Sequence, residues 1–309
     1  MKPGAHVVAA HLGAAGDARR AGLVERALVL VALTKPRLNL LVLVTTVAGL
    51  YLAAPGGVPG LLLAHTLLGT ALVAGGAAAL NQVWEHDTDR RMRRTQERPV
   101  PKGRIGIRQG AWFGVLLSGV GLAELALRTT PMAAVVAGVT LVSYVLVYTP
   151  LKTRTSLATL VGAVPGALPP VIGWAAATGS VTLPAAVLFG IVFCWQMPHF
   201  LALAWLYRDD YRAASIPLLP VMEPDGRRTG QQALVYAATL WPVSLMPTAV
   251  GLGGLAYSVV ATLLGGTFIA LSATFARERS VASARTLFLA SLLYLPLLLG
   301  ALVADRLWI

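Results

Sequence analysis

Nine long apolar segments follow one another along the chain and constrain its fold more than any other feature. Stretches of about 18 or more apolar residues are long enough to cross a bilayer as helices. With 56% hydrophobic and only 12% charged residues, the sequence is too apolar for a soluble globular protein, in which about a quarter of residues are charged. We therefore predict an all-α, polytopic membrane protein with about nine transmembrane helices bundled around a central cavity. The predicted helices are 38–54, 61–84, 111–127, 132–149, 159–177, 184–206, 233–250, 253–274 and 286–303.

The Lys and Arg residues predict how these helices are oriented. Of the 25 basic residues, 23 fall in alternate connecting segments, and only Arg128 and Arg306 fall in the others. Cytoplasmic loops carry an excess of Lys and Arg, so we expect the N-terminus inside and the C-terminus outside. The same distribution explains most of the net charge of +12 and leaves nucleic-acid binding without support. We expect a multi-pass protein of the cytoplasmic (inner) cell membrane, in contact with membrane lipid.

The N-terminal segment and the cysteine content limit the possible domain organisations. The first residues are Ala-rich and mixed in polarity, and they lack the ordered regions of a signal peptide. We predict a disordered cytoplasmic tail over residues 1–33, followed by one transmembrane domain over 34–309. The single cysteine, Cys194, lies inside an apolar stretch, which excludes a disulfide framework and a CxxC metal site.

Acidic residues are concentrated in two segments that are expected on the same, cytoplasmic face. The rule for basic residues predicts nothing about acids, so this concentration needs its own explanation. Eight of the 13 acidic residues follow either the second or the sixth helix: Glu85, Asp87, Asp89, Glu97, Asp209, Asp210, Glu223 and Asp225.

The first acidic group predicts a metal site. Asn81, Glu85 and Asp89 are four residues apart, so on a continuing helix they lie on one stripe, roughly 6 Å from one another. Their oxygens repel one another unless a cation lies among them, and they are the ligands that suit Mg²⁺. Polar groups at membrane depth are expensive and usually functional. We predict that these three residues hold Mg²⁺ together with Asp209 and Asp210; the alternative is an ordinary polar helix end balanced by arginines.

Basic residues near this stripe predict a diphosphate site. Guanidinium groups pair bidentately with phosphate oxygens, and a Mg²⁺ site beside Arg and Lys has the chemistry of a diphosphate cradle. Asp87 projects away from the stripe and is expected to pair with a neighbouring Arg. The candidate diphosphate-binding residues are Arg94, Arg98, Lys102, Lys152 and Arg154.

The stretch NQVWEHDTDRRMRRTQERPVPKG, residues 81–103, resembles the first signature of the UbiA-type intramembrane prenyltransferases. That signature runs N-x-x-x-D-x-D-x-D-x-x-M-x-R-T-x-x-R-P, and Glu85 replaces one Asp. The similarity spans roughly 34–221, and WQMPHF with IPLLPV favours the heme-prenylating branch. Ala158 and Ser215 depart from the usual Asn and Gly, which puts in doubt the role of the Asn counterpart here. The further similar stretches are TKPRLNLLVLVTTVAGLYLA, YTPLKTRTSLATLVGAVPGALPPVIGW and WQMPHFLALAWLYRDDYRAASIPLLPV.

The resemblance implies a Mg²⁺-dependent enzyme that transfers the farnesyl group of farnesyl diphosphate to a vinyl group of protoheme IX. The product, heme O, would serve terminal oxidase assembly, with a heme A synthase or an oxidase assembly factor as a partner. The resemblance also suggests that His199, with Trp195, contacts the heme acceptor. A lone membrane His is also typical of a hydrogen-bonded packing residue, and that alternative stays open.

Two other functions compete with this interpretation. Another UbiA-type transferase acting on an aromatic or quinone precursor would share the metal chemistry and differ in its acceptor pocket. A transporter of an anionic lipid, from a different class, also has polar residues and broken helices within the membrane. The charges of this chain gather at one membrane face rather than at the midplane, which favours an enzyme.

Overall fold

The computed structural model describes residue 22 and residues 24–308 of the chain. Every regular element in that part is helical, and no strand occurs there, which confirms the predicted all-α class. The helices in chain order are α1 (24–33), α2 (Pro36–Ala53), α3 (Gly60–Trp84), α4 (His86–Asp89), α5 (Ile107–Arg128), α6 (Pro131–Val142), a π-helix (Ser143–Tyr148), α7 (Thr149–Leu151), α8 (Ala158–Ala167), α9 (Pro169–Thr178), α10 (Leu183–Leu206), α11 (Arg208–Ala213), α12 (Leu219–Met222), α13 (Arg227–Ala249), α14 (Leu255–Glu278) and α15 (Val281–Trp308).

Eight helical segments of the described chain are long and apolar enough to cross a membrane, and they match eight of the nine predicted spans. The remaining prediction, 233–250, overlaps α13 up to its last residue, Ala249. Helix α13 is long enough to span but begins with Arg227 and Arg228 and is less apolar. The orientation of the termini stays a prediction. The eight segments are Pro36–Ala53, Gly60–Trp84, Ile107–Arg128, Pro131–Leu151, Ala158–Thr178, Leu183–Leu206, Leu255–Glu278 and Val281–Arg306.

Residues 24–33, which the sequence analysis assigns to the tail, form α1, and its last residue is fully buried. Leu33 packs with Ala79 and Val100 in a small apolar cluster. Apart from Gly22, the rest of the predicted tail lies outside the described residues. Helix α1 therefore reaches the end of α3 that carries the acidic stripe.

Two helix pairs approach so closely that glycine is required at their contacts. A Cβ atom added to Gly173 on α9 would lie 1.9 Å from the backbone oxygen of Thr46 on α2. One added to Gly76 on α3 would lie 2.1 Å from Ser118 Oγ on α5. Within a membrane, helix association depends on close packing of this kind because lipid tails are as apolar as the side chains. These contacts hold α3 in place beside α5.

A π-helical turn interrupts the fourth span just before its end. Over Ser143–Tyr148 the helix widens, and the Thr149 N–H donates to the oxygen of Tyr144, five residues earlier. Such turns are rare, and they occur frequently at functional sites. The extra residue in this turn sets the direction in which Thr149 and Lys152 leave the helix.

Candidate functional site

Asn81, Glu85 and Asp89 form a buried polar stripe where α3 passes into α4. Their exposed fractions are 2%, 6% and 0%. Helix α3 ends at Trp84, yet the backbone hydrogen bonds continue. The Glu85 N–H donates to the backbone oxygen of Asn81 at 2.9 Å, and the Asp89 N–H donates to the backbone oxygen of Glu85 at 2.8 Å. The four-residue backbone register is therefore kept across the helix junction, and the three side chains line up as the spacing predicts.

Two of the predicted cations face the carboxylates of this stripe. Lys152 Nζ donates to Glu85 Oε1 at 2.9 Å, and Arg98 Nη1 donates to Asp89 Oδ2 at 2.6 Å. Arg98 Nη1 also lies 3.9 Å from Glu85 Oε2. The side chains of Lys152 and Arg98 are mostly buried, with exposed fractions of 13% and 20%. These are paired charges at low dielectric, where charge-assisted hydrogen bonds are strong.

Glu85 and Lys152 each stabilise the charged form of the other. Burial by itself raises the pKa of Glu85, but the ammonium groups of Lys152 and Lys35 outweigh it and hold that pKa below its usual value. Burial lowers the pKa of Lys152, and the Glu85 carboxylate reverses this and raises it well above its usual range. Glu85 is thus ionised and Lys152 protonated, which keeps Lys152 a hydrogen-bond donor.

A third cation, Lys35, completes the ring of charges, and the sequence analysis missed it as a site residue. Its Nζ donates to Asn81 Oδ1 at 3.0 Å. Burial and the nearby Arg98 lower the pKa of Lys35 to about 7, against the opposing effect of Glu85 and Asp89. The signal available in the sequence is its position, because Lys35 directly precedes the first apolar span; the positive-inside rule explains a lysine there without any role in the site.

Asp89 has an oxygen that suits a metal ion. Its Oδ1 atom is buried and finds no hydrogen-bond partner among the described residues, whereas buried polar atoms are almost always partnered. An amide oxygen and two carboxylates are a donor set that fits Mg²⁺, which takes one or two carboxylates and completes its shell with water and substrate phosphates. Within the described chain no three His, Cys, Asp or Glu residues cluster as a metal site. An ion here would therefore need the Asn81 oxygen and the phosphates.

Asp209 and Asp210 lie on the neighbouring helix α11. Asp209 is 80% exposed and pairs with Arg212 at 2.7 Å. No hydrogen bond or ion pair joins either aspartate to the stripe in the described part of the chain, and their role as metal ligands stays a prediction. An apolar cluster brings the two acidic segments together. It joins Met92, which follows α4, to residues at the end of α10, on α11 and between α11 and α12: Ala204, Tyr211, Ala214, Ile216 and Leu218.

The other predicted diphosphate residues are exposed at the surface. Arg94 is exposed, donates to Tyr211 Oη at 3.4 Å and lies 5.5 Å from the ring centre of Tyr207. Lys102 pairs with Glu97, and both side chains are largely exposed. Arg154 is exposed. No hydrogen bond or ion pair joins these three basic groups to the buried stripe within the part of the chain that the structure describes, so they are suited to attracting an anion more than to holding it.

His199 and Trp195 both bond to one residue of the last helix. His199 Nδ1 lies 2.7 Å from Ser291 Oγ, and Trp195 Nε1 donates to the Ser291 backbone oxygen at 2.8 Å. The His199 ring stacks on Trp195 and lies 4.9 Å from Phe288, measured between ring centres. This is the hydrogen-bonded packing arrangement that the sequence analysis left open, and contact with the heme acceptor stays a prediction.

The two departures from the family pattern differ in their surroundings. Ala158 is completely buried at the start of α8, so it supplies no polar group there. Ser215 is exposed and has a φ of 57°, in the left-handed region that favours glycine. The usual Gly at that position therefore has a backbone reason.

Comparison with known proteins decides the family. Residues 42–295 match the UbiA prenyltransferase family. The chain belongs to this family. A protoheme IX farnesyltransferase of Solibacter usitatus is 44% identical over 283 residues, covering 89% of this chain and 97% of that protein. The protein of the same name from Myxococcus xanthus is 44% identical, covering 94% of this chain and 98% of the relative. The protein of that name from Opitutus terrae is 45% identical, covering 90% of this chain and 94% of the relative.

Solved structures of other proteins share the fold. A digeranylgeranylglyceryl phosphate synthase has a TM-score of 0.79 at 14% identity, covering 92% of this chain and all of that one. A UbiA homologue from Archaeoglobus fulgidus, bound to GPP and Mg²⁺, has a TM-score of 0.56 at 15% identity and covers 91% of this chain and 100% of its own. At such identities the likeness concerns the fold alone, and it agrees with the bundle described above.

Proposed function

We propose that this UbiA prenyltransferase transfers the farnesyl group of farnesyl diphosphate to a vinyl group of protoheme IX, giving heme O. The observation that carries the proposal is the buried stripe of Asn81, Glu85 and Asp89, with Lys152 and Arg98 against it. The acceptor is supported by the relatives named protoheme IX farnesyltransferase, which are 44–45% identical over nearly their whole length.

Mg²⁺ is part of the proposal. Asn81, Glu85 and Asp89 would hold it, and Asp209 and Asp210 are proposed as further ligands when a diphosphate joins the two acidic segments. The ion, when bound, supplies positive charge that polarises the diphosphate and makes it a better leaving group. The unpartnered oxygen of Asp89 supports this assignment.

The basic side chains would act on the charge that develops as the donor ionises. When the bond between C1 of the farnesyl chain and the diphosphate oxygen breaks, the electron pair leaves with the oxygen. Lys152 and Arg98 are already oriented and largely dehydrated, so they stabilise this charge without reorganising. The exposed Arg94, Lys102 and Arg154 would attract the diphosphate by their charge.

The acceptor step would take place within the apolar bundle, which keeps water from the allylic cation. The vinyl π electrons attack C1 and form a carbon–carbon bond, which leaves a cation beside the porphyrin ring. A water molecule adds to that cation and loses a proton, giving the hydroxyethylfarnesyl group. His199 and Trp195 are proposed to contact the acceptor, with the imidazole held through Nδ1 by Ser291.

We also propose that the site faces the cytoplasmic side of the cell membrane. The uneven distribution of Lys and Arg between alternate connections supports this orientation. A heme A synthase or an oxidase assembly factor would then receive heme O.

The test is an assay of the detergent-purified chain with protoheme IX, farnesyl diphosphate and Mg²⁺, with heme O identified by chromatography and mass. Asp89→Asn is the site variant. Asp87→Asn is its matched control, because Asp87 is 70% exposed and lies off the stripe. Heme O from the wild type and the control, but not from Asp89→Asn, supports the proposal. Consumption of farnesyl diphosphate without modified heme would show that the acceptor is wrong, and inertness towards both substrates would refute the proposed activity.

A further inference from the structure

The side-chain amide of Asn81 is held at both ends. Its Nδ2 donates to Thr149 Oγ1 at 3.2 Å, and its Oδ1 accepts from Lys35 Nζ at 3.0 Å. Asn81 and Thr149 are 2% and 1% exposed, so little water reaches this contact. An amide has two ends of nearly equal size, and only its hydrogen bonds determine which end points where.

Thr149 determines that orientation through its own hydrogen bond. Its hydroxyl donates its single proton to the backbone oxygen of Tyr144 at 2.8 Å. Towards Asn81 the hydroxyl can then only accept, which requires the amide nitrogen at that end. Lys35 favours the same orientation, because its amino group donates to the amide oxygen.

The π-helical turn makes this relay possible. Tyr144 is five residues before Thr149, and its carbonyl accepts both the backbone N–H and the hydroxyl of Thr149. In a regular α-helix a threonine hydroxyl bonds to a carbonyl three or four residues back. The wider turn is therefore the feature that aims the hydroxyl proton at Tyr144 and the free lone pair at Asn81.

We infer that Thr149 is a positioning residue that keeps the Asn81 oxygen directed at the metal position. Thr149 contacts the nitrogen of the Asn81 amide and would affect the ion only through Asn81. Without the hydroxyl only Lys35 holds the amide, and a bound ion competes with Lys35 for the same oxygen, so the amide can rotate and present an NH₂ group, which repels a cation. The inference rests on the proposed Mg²⁺ site and extends it beyond the residues that would touch the ion.

The experiment measures metal binding directly. Mn²⁺ stands in for Mg²⁺, since both take oxygen ligands, and free Mn²⁺ is followed by electron paramagnetic resonance in the full-length protein with inorganic diphosphate. Thr149→Val removes the hydroxyl at nearly constant shape, and we expect Mn²⁺ affinity to fall about 10-fold or more, the usual effect of losing a residue that orients a ligand. Thr149→Ser keeps the hydroxyl and should bind close to the wild type.

A double-mutant cycle with Asn81→Asp separates orientation from general packing. An aspartate presents an oxygen to the ion whichever way it turns, so Thr149→Val should change affinity less than about 2-fold in that background. Equal losses in both backgrounds would overturn the inference in favour of a structural role. So would an unchanged affinity in the single variant. Thr149→Ala provides the same comparison if the valine variant does not fold.

The same titration distinguishes failure of this inference from failure of the proposed function. A wild type that makes heme O and binds Mn²⁺, but whose affinity does not respond to Thr149→Val, refutes only the role of Thr149. A wild type that binds no Mn²⁺ in the presence of diphosphate refutes the metal site, and the role of Thr149 with it.

Discussion

Lys35 Nζ lies 3.0 Å from Asn81 Oδ1, although the two residues are 46 positions apart in the chain. Lys35, which precedes the first span, thus binds the side-chain oxygen of Asn81, which is also a ligand of the proposed metal site at the end of the second span. An ammonium group and a metal ion compete for that oxygen, while both attract the diphosphate. We therefore expect Lys35 to weaken metal binding and to strengthen binding of the diphosphate.

Replacing Lys35 with methionine should separate these two effects. Lys35→Met frees the Asn81 oxygen, so less Mg²⁺ should be needed for half-maximal activity. The loss of a charge-assisted contact to diphosphate, worth about 1.5–3 kcal/mol, should raise the KM for farnesyl diphosphate by about 10-fold or more. Steady-state kinetics with each component varied in turn measures both quantities. Arg37→Met, at an exposed position nearby, should change neither, and parallel changes in both variants would contradict a specific role.

The Glu85–Lys152 ion pair predicts a non-additive loss of stability. Glu85→Gln leaves the Lys152 ammonium buried without its partner, which should destabilise the protein by about 3–5 kcal/mol. Adding Lys152→Met removes the stranded charge, so the double variant should be less destabilised than the two single changes predict together. Thermal unfolding in detergent measures this.

A more exposed ion pair is the control for that measurement. Arg228 is 73% exposed and lies 3.0 Å from Glu223, so Arg228→Gln should change the unfolding free energy by less than about 1 kcal/mol. Additive effects at Glu85 and Lys152 would show that the two charges do not depend on each other.

The close contact of α9 with α2 predicts a site where one methyl group is harmful. Gly173→Ala places a Cβ within 1.9 Å of the Thr46 oxygen, so the helices must separate, at a cost of about 1–3 kcal/mol. Gly266 on α14 has open space at its Cβ position, and Gly266→Ala should be neutral or slightly stabilising. The thermal unfolding midpoints of the two variants measure this difference in stability. Equal midpoints would mean that α2 and α9 do not pack as closely as described.

The departure at Ser215 predicts a stabilising substitution. Ser215 has a φ of 57°, a conformation that costs an ordinary residue about 1–2 kcal/mol. Ser215→Gly removes that strain but adds flexibility to the unfolded chain, so we expect a net gain of about 0.5–1 kcal/mol. Ala213→Gly, at an exposed helical position two residues away, should instead destabilise. A lower midpoint for Ser215→Gly would contradict the strain.

Local patterns predict well what depends on neighbours in the chain. The spans follow from runs of apolar residues, and the alignment of Asn81, Glu85 and Asp89 follows from helical spacing. The pairing of Lys152 with the stripe was also within reach, because both were assigned to the same membrane face. The match between the predicted spans and the eight apolar segments reflects this dependence on local composition.

Contacts between distant segments are what the sequence could not provide. Lys35 reaches Asn81 because α1 and α2 pack beside the end of α3, and no spacing rule encodes that. The π-helical turn adds one residue to a run that reads as ordinary helix, so the role of Thr149 was not visible. Apolar packing of Met92 with Tyr211 joins the two acidic segments in the structure, a contact that the spacing of the acidic residues does not predict.

The bonds of His199 and Trp195 to Ser291 have a consequence for how the protein is made. Ser291 follows His199 by 92 residues, and at roughly 5–20 residues per second a ribosome needs about 5–20 s to reach it. During that interval α10 is already available for insertion, while its indole and imidazole groups lack their final partner in a medium without water. The earlier helix α8 already offers α10 one bond, from Gln196 to the Ala163 oxygen. We therefore expect the polar groups of α10 to need temporary shelter until the last helix enters the bilayer.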